Sequence, residues 1–345
     1  MSISTGRSTH GTGELPASAA PAGCRVWCIG VTQYILRRLI HSVLIVWGCA
    51  TIVFFLLRAI PGDPIIQMLG PEYTPEAADA LRHKLGLDEH VVVQYFRWLG
   101  NVLRGDLGSS ITGVESVRSA ILTGLPRTMS IAALAFLIAT AIAIPAGIIA
   151  ALRRNSFVDF AVSTIAFIGV SMPSFWFGII LILIFSVELN VLPSLGYASI
   201  SEDGPWEWFK HLILPSLAIG AGYAAILMRF VRAGLLEALS SDYIRTARAK
   251  GLTERRVVIA HALRNSMIPV VTVAGIQVAL LLSGAVVIET VFSIRGIGRL
   301  LVGAIFDKDY PMVQGAILVV AVIFVFANLI VDIAYTMIDP RIKYD

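Results

Sequence analysis

Nothing constrains the fold of this chain as strongly as its six long apolar stretches, at roughly 33–58, 128–152, 158–187, 211–234, 268–292 and 312–338. Each is long enough for the ~20 residues that an α-helix needs to cross the hydrocarbon core of a bilayer. No water is present there to satisfy a bare peptide group, so each stretch is read as a helix. Composition agrees, with 57% apolar and 14% charged residues, against about 45–50% and about 25% in soluble domains. At a mean hydropathy of +0.80 such a chain cannot cover its own surface with polar groups. The expected fold class is an all-α polytopic membrane protein with six transmembrane helices. The stretch at 211–234 is the least regular, because Pro215, Gly220 and Gly222 interrupt it.

The chain carries 27 basic and 23 acidic residues, a formal charge of +4. Their distribution matters more than the sum, and no nucleic-acid partner is expected. Lys and Arg collect on the cytoplasmic side of membrane proteins. Residues 1–38 hold Arg7, Arg25, Arg37 and Arg38 against Glu14, the second connection holds Arg153 and Arg154, and 229–267 holds eight basic residues against Glu237, Asp242 and Glu254. By contrast, 59–126 has five basic residues against eight acidic, and 186–210 sets Lys210 against Glu188, Glu202, Asp203 and Glu207. This alternation places both termini in the cytoplasm. The organisation read from it is a disordered cytoplasmic tail at 1–30, a first transmembrane helix at 31–58, an extracytoplasmic helical segment at 59–126 and a five-helix core at 127–338. That core includes a cytoplasmic loop at 235–267, and a cytoplasmic C-terminus follows at 339–345. The tail has no early apolar core and is not read as a cleavable signal. Cys24, Cys28 and Cys49 lack the second pair that a four-ligand site requires, so neither zinc nor a disulfide is expected.

Two helices are expected in the segment after the first span. Pro75 opens the first and Gly86 closes it. Val91 to Gly100 reads as a second, amphipathic helix that lies on the membrane surface or caps the bundle.

The most informative stretch is 240–266. Ser240, Ser241 and Asp242 offer an N-cap to a two-turn helix running to Lys250, and Gly251 takes the left-handed closing position. Thr253 with Glu254 then starts a second helix through about Arg264. Tyr243, Ile244 and Ala247 fall on or near one face, flanked by Arg245, Arg248 and Lys250, as a hydrophobic knob in a basic collar suited to a groove on a partner. A loop that only had to be basic would not need two cap signals around a glycine.

This stretch resembles the cytoplasmic loop of the inner-membrane permease subunits of binding-protein-dependent ABC importers. Their pattern is E-A-A, three residues, Gly, nine residues, I-x-L-P. Aligned on Gly251, it meets Arg245-Thr246-Ala247 and His261-Ala262-Leu263-Arg264, matching at the alanine, the glycine and the leucine. The longer string from Tyr243 to Leu252, followed by His261 to Pro269, is similar to the variant in dipeptide, oligopeptide and nickel permeases. Pro61-Gly62-Asp63-Pro64, Gly105 to Ser110, Ser171 to Gly178 and Glu289 to Gly298 point to the first, B-type permease of that subfamily. Arg295 stands where the family usually has a proline before Gly296-x-Gly298.

The resemblance covers the chain from about residue 31. It implies the type I ABC importer permease fold in a prokaryotic inner or plasma membrane, forming half of a translocation pathway for di- or oligopeptides. Nickel, glutathione or haem-type cargo is the alternative within the family. It further implies ATPase coupling through Tyr243, Ile244, Arg245, Thr246, Ala247, Arg248, Lys250, Gly251, Leu252 and Arg255. The implied partners are a C-type permease forming a heterodimer, two ATPase domains, an external solute-binding protein and membrane lipid. ATP and Mg would bind in the ATPase subunits; this chain has no Gly-x-x-x-x-Gly-Lys-Ser/Thr phosphate loop and no cofactor of its own is expected.

Polar residues within spans are the places to look for a pathway. Gln277, Ser283, Gly284 and Asp332 are the candidates, with interhelical hydrogen bonding as the competing reading. Arg295, Gly296 and Gly298 form an outer turn. The chain has no His-Glu-x-x-His pattern, no Gly-x-Ser-x-Gly elbow, and its six histidines are scattered. It is therefore not read as an enzyme. The rival class is an autonomous secondary transporter or channel, against which stand the scarcity of intramembrane charges and the lack of an inverted repeat.

Overall fold

A computed structural model describes residues 22–59, 64–70, 73–111 and 115–338, with side chains for these apart from 22–36, 64, 67–68, 84–85 and 332–338. The helices are α1 (Ala22–Ala59), α2 (Pro64–Leu69), α3 (Pro75–Leu85), α4 (Val91–Leu103), α5 (Val117–Leu152), α6 (Phe157–Ser171), α7 (Ser174–Glu188), α8 (Pro205–Ser240), α9 (Asp242–Ala249), α10 (Glu254–Val291), α11 (Ile297–Phe306) and α12 (Tyr310–Ile338). Among the described residues the extended contacts amount to an isolated bridge between Ser109 and Ser116. Of the described residues, 22–44 belong to a separate unit, and the packing below lies within residues 45–338.

Five helices are long and apolar enough to cross a bilayer: Arg37–Ala59 of α1, α5, α8, α10 and Tyr310–Val331 of α12. Helices α6 and α7 meet that requirement only as a pair, bent by 106° between them, and make a sixth span when the pair is counted as one. The bend follows from Pro173, whose ring pushes the preceding residue out of the helical region; Met172 has φ −89° and ψ 124°. The one helix expected over 158–187 is therefore two, α6 and α7.

Pro215, Gly220 and Gly222 break the pattern of α8 but not the helix, which runs unbroken from Pro205 to Ser240. Gly220 serves close approach. A Cβ on Gly220 would sit 2.9 Å from the Ala135 carbonyl of α5, and one on Gly147 of α5 would sit 2.7 Å from Val231. With Ala135, Ala139, Ala143, Ala150 and Ala151 buried on α5, small side chains let the two backbones meet, as is usual between helices in lipid. The α5–α8 contact is the most extensive in the molecule. Around it, Ile131, Leu212, Leu214, Leu281, Ile288 and Phe292 form the main core.

Three further boundaries differ from the sequence reading. Residues 22–30, assigned to the tail, continue α1, since Val26, Trp27 and Ile29 extend its apolar run; 1–21 and 339–345 lie outside the described residues. The helix after Thr253 does not end near Arg264 but continues to Val291, passing through a π-helical stretch at Val257–Leu263. The apolar helix α11 was not foreseen, being far shorter than the ~20 residues that mark a span. In α3 the two expected signals act as read, Pro75 opening the helix and Gly86 closing it at φ 65°; Thr74, which the sequence reading did not name, accepts from the Ala77 amide at 3.2 Å.

Candidate functional site

The 240–266 elbow is built by three short-range devices. Ser241 occupies the N-cap position of α9, but its hydroxyl turns back to donate to the Glu237 carbonyl at 3.2 Å, as does Ser240 at 2.7 Å. At the other end Gly251 has φ +75°. Its amide donates to Arg248 O at 2.9 Å and that of Leu252 to Ala247 O at 3.4 Å, the paired bonds of a Schellman closure. Nothing lies within 4 Å of a Cβ placed on Gly251, so backbone conformation and not space requires glycine here. Across the corner Arg248 grips Glu254 with two bonds, Nε–Oε2 at 3.1 Å and Nη2–Oε1 at 2.6 Å. That hydrogen bonding raises the Arg248 pKa above its ordinary value. The pair is exposed, so it sets the angle between α9 and α10 more than it stabilises the fold.

The knob predicted from sequence is divided in the structure. Ile244 and Ala247 are buried, with Ala151 of α5, Leu235 and Ala238 of α8, and Val257 and Ala262 of α10. Tyr243 is exposed. Residues three apart share a helix face while adjacent ones are turned by about 100°, so Ile244 and Ala247 face inward together and Tyr243 cannot. What the elbow presents is Tyr243 among Arg245, Thr246, Arg248, Lys250 and Arg255, all exposed; Leu252 is half-buried behind them.

Near the elbow lies an ion pair the sequence reading missed. Arg232 of α8 meets Asp159 of α6 through two bonds, Nε–Oδ1 at 2.7 Å and Nη2–Oδ2 at 2.8 Å. The Asn155 amide donates to the same carboxylate at 3.0 Å, and Asp159 is only 5% exposed. Such fork-to-fork bonding fixes geometry as well as charge. Arg232 sits one turn before Leu235, which packs beneath α9. A solitary acid in an apolar stretch was the available signal.

The turn at 293–298 is organised by Glu289, which is fully buried. Its carboxylate accepts from the Thr128 hydroxyl at 2.5 Å and from the Arg299 amide at 2.9 Å. Thr128 in turn accepts from the Ile297 amide at 2.9 Å. A Cβ on Gly296 would come within 2.2 Å of the Glu289 carboxylate, and one on Gly298 within 2.5 Å of the Val286 Cα. Both glycines serve close approach. Arg295 is exposed, and its carbonyl accepts from Arg127 Nη1 at 3.0 Å.

Three of the four pathway candidates, Gln277, Ser283 and Gly284, lie on α10. Gln277 is 4% exposed, and its amide nitrogen has no hydrogen-bond partner among the described residues. Ser283 is exposed. Gly284 lines a cavity of ≈ 710 Å³ between α5, α6, α7, α8 and α10, together with Tyr223 and Ser174. The side chain of Asp332 lies outside the described residues.

Two family descriptions match the chain: "Binding-protein-dependent transport system inner membrane component" over residues 143–344, and the N-terminal component of the same systems over 31–132. A putative peptide transport system permease protein of Brucella abortus is 42% identical over 315 residues, covering 91% of this chain and 100% of the relative. The di/tripeptide transport system permease of Pseudomonas aeruginosa is 42% identical, with 90% and 99% covered. The oligopeptide transport system permease of Bacillus subtilis is 38% identical, with 91% and 100% covered. Among solved structures, an inward-facing MetNI methionine ABC transporter chain superposes with a TM-score of 0.51 at 20% identity, over 64% of this chain and 96% of that one. That likeness shows a shared type I permease fold.

Proposed function

The chain belongs to the binding-protein-dependent transport system inner membrane components, and from that premise we propose that it is the permease half of an ATP-driven importer of di- or oligopeptides. The peptide cargo is supported by the names of its Brucella, Pseudomonas and Bacillus relatives. In this reading a C-type permease completes the pathway, two ATPase domains bind ATP and Mg, and an external solute-binding protein delivers the cargo. The elbow and both termini face the cytoplasm.

The observation that carries the reading is the division of α9. Its inner side, Ile244 and Ala247, is seated on residues of α5, α8 and α10, while Tyr243 and the cations face out. A push on the outer side by closing ATPase domains would therefore pass to three spans at once, as rigid-body rocking of the kind that alternating access requires.

Gly251→Val tests the docking role. A β-branched side chain in the left-handed region costs roughly 1–2 kcal/mol, and relief requires the corner to change its angle. The variant should insert and assemble normally, hydrolyse ATP in reconstituted liposomes, and fail to couple hydrolysis to dipeptide uptake. Unchanged uptake per ATP would refute the docking role. Mass spectrometry of the ligand that co-purifies with the solute-binding protein separates peptides from nickel chelates, glutathione and haem.

A further inference from the structure

Helix α4 carries two apolar faces, and the bundle uses one of them. Tyr95 and Trp98 face α1: the Tyr95 ring stacks on Phe55 with centroids 5.5 Å apart, and its hydroxyl shares a 2.8 Å hydrogen bond with Thr51. Trp98 lies 5.3 Å from Phe54 between ring centroids. Arg58 folds back over the Phe54 ring, 3.5 Å from its centroid, and grips Gln94 through Nε and Nη2 at 3.1 and 3.0 Å. The second face is the stripe Val92, Phe96, Leu99 and Leu103, spaced by four, three and four residues and so on one side of the helix. Phe96 is 64% exposed and Leu103 81%. Arg97 and Asn101 lie on a third, polar side.

We infer that this second face is embedded in the lipid interface, making α4 an interfacial anchor that fixes the end of the first span at the membrane boundary. Depth is the reason. The span Arg37–Ala59 has 23 residues, about 34 Å at 1.5 Å each, so its end lies near the edge of a hydrocarbon core ~30 Å thick. The contacts of α4 fall at Thr51, Phe54 and Phe55, four to eight residues before Ala59, or about 6–12 Å inside that end. Interfacial helices sink their apolar faces ~5–10 Å into the headgroup and acyl boundary. On α1 the apolar Ile52, Phe55 and Leu56 are likewise exposed, and Phe55 stacks on Tyr95, whose ring meets that of Phe96 in the stripe. Its four residues are uncharged and aliphatic or aromatic, which suits acyl chains. The polar Arg97 and Asn101 are left for headgroups and water. The inference depends on the spanning of α1 and not on the cargo or partners proposed above.

The test places a bimane label at Phe96→Cys, Leu103→Cys or Arg97→Cys, each in a C24S/C28S/C49S background of the full-length chain in its purified assembly. Each is reconstituted in phosphatidylcholine vesicles and accepted only if it transports like the background protein. Labels at 96 and 103 should be quenched several-fold more by lipids brominated near the headgroup end of the acyl chain than by aqueous iodide, and the label at 97 should show the reverse. Equal iodide quenching at 96 and 97 would put the stripe in water and overturn the inference. Protection at 96 and 103 from both quenchers would mean that a protein subunit covers it, and would overturn it equally.

Discussion

Asp159 and Glu289 are both buried carboxylates, and their neighbours give them different roles. Asp159 meets a full positive charge on Arg232, so removing it leaves a partly exposed cation without its charged partner, a loss of about 1–3 kcal/mol. Asp159→Asn should therefore lower the unfolding temperature in detergent markedly. The swap Asp159→Arg with Arg232→Asp should recover part of that loss, whereas no recovery would mean that packing and not charge holds α6 to α8. Glu289 meets hydrogen-bond donors instead: the Thr128 hydroxyl and the Arg299 amide. Glu289→Ala leaves these unsatisfied at about 1–3 kcal/mol each, and Thr128→Ala should lose less, because the carboxylate keeps its backbone donor. Thermal unfolding of the two variants checks the order. That each acid is out of place in an apolar stretch is legible from sequence alone. Which group answers it is not, since Arg232 lies 73 residues away and Thr128 lies 161 away.

At the scale of elements, glycines that look alike in the sequence do different things. Gly251 takes a left-handed φ with open space around it, while Gly298 abuts the Val286 backbone. Gly251→Ala should therefore cost only about 1–2 kcal/mol, with folding and assembly retained. Gly298→Ala must lift α11 off α10, and should lower the unfolding temperature well beyond Gly251→Ala; equal effects would show that α11 is not tightly seated. The two closing glycines of the elbow and of α3 were legible because a Schellman closure is local chemistry, decided within six residues. The role of Gly296 and Gly298 was not, because their reason is the carboxylate of Glu289 on another element. The same limit explains the knob: its residues were correctly placed on α9, but which side of α9 faced inward depended on Ala151, Leu235 and Val257.

Across the whole molecule, both ends of α10 bear a tight turn, the elbow at one and the Glu289-centred turn at the other. If the elbow is cytoplasmic, a single cysteine at Lys250 should react with a membrane-impermeant maleimide only in inside-out vesicles, and one at Arg295 only in right-side-out cells. Labelling of Lys250→Cys from outside the cell would invert the proposed topology and remove the ATPase from reach. The membrane class, the positions of the apolar stretches and the Gly251 corner were determined by the sequence, because hydropathy over ~20 residues and hydrogen bonding within one turn need no distant partner. The 106° bend was half legible: Pro173 marks its place, but its angle rests on what α7 meets, with Gly178 against Phe292 and Ala218. The Asp159–Arg232 clamp and the inward seat of Ile244 were decided only in three dimensions. Helix packing in lipid is settled by small-residue contact and polar pairing between elements far apart in the chain, and a hydropathy pattern carries no record of which helices meet.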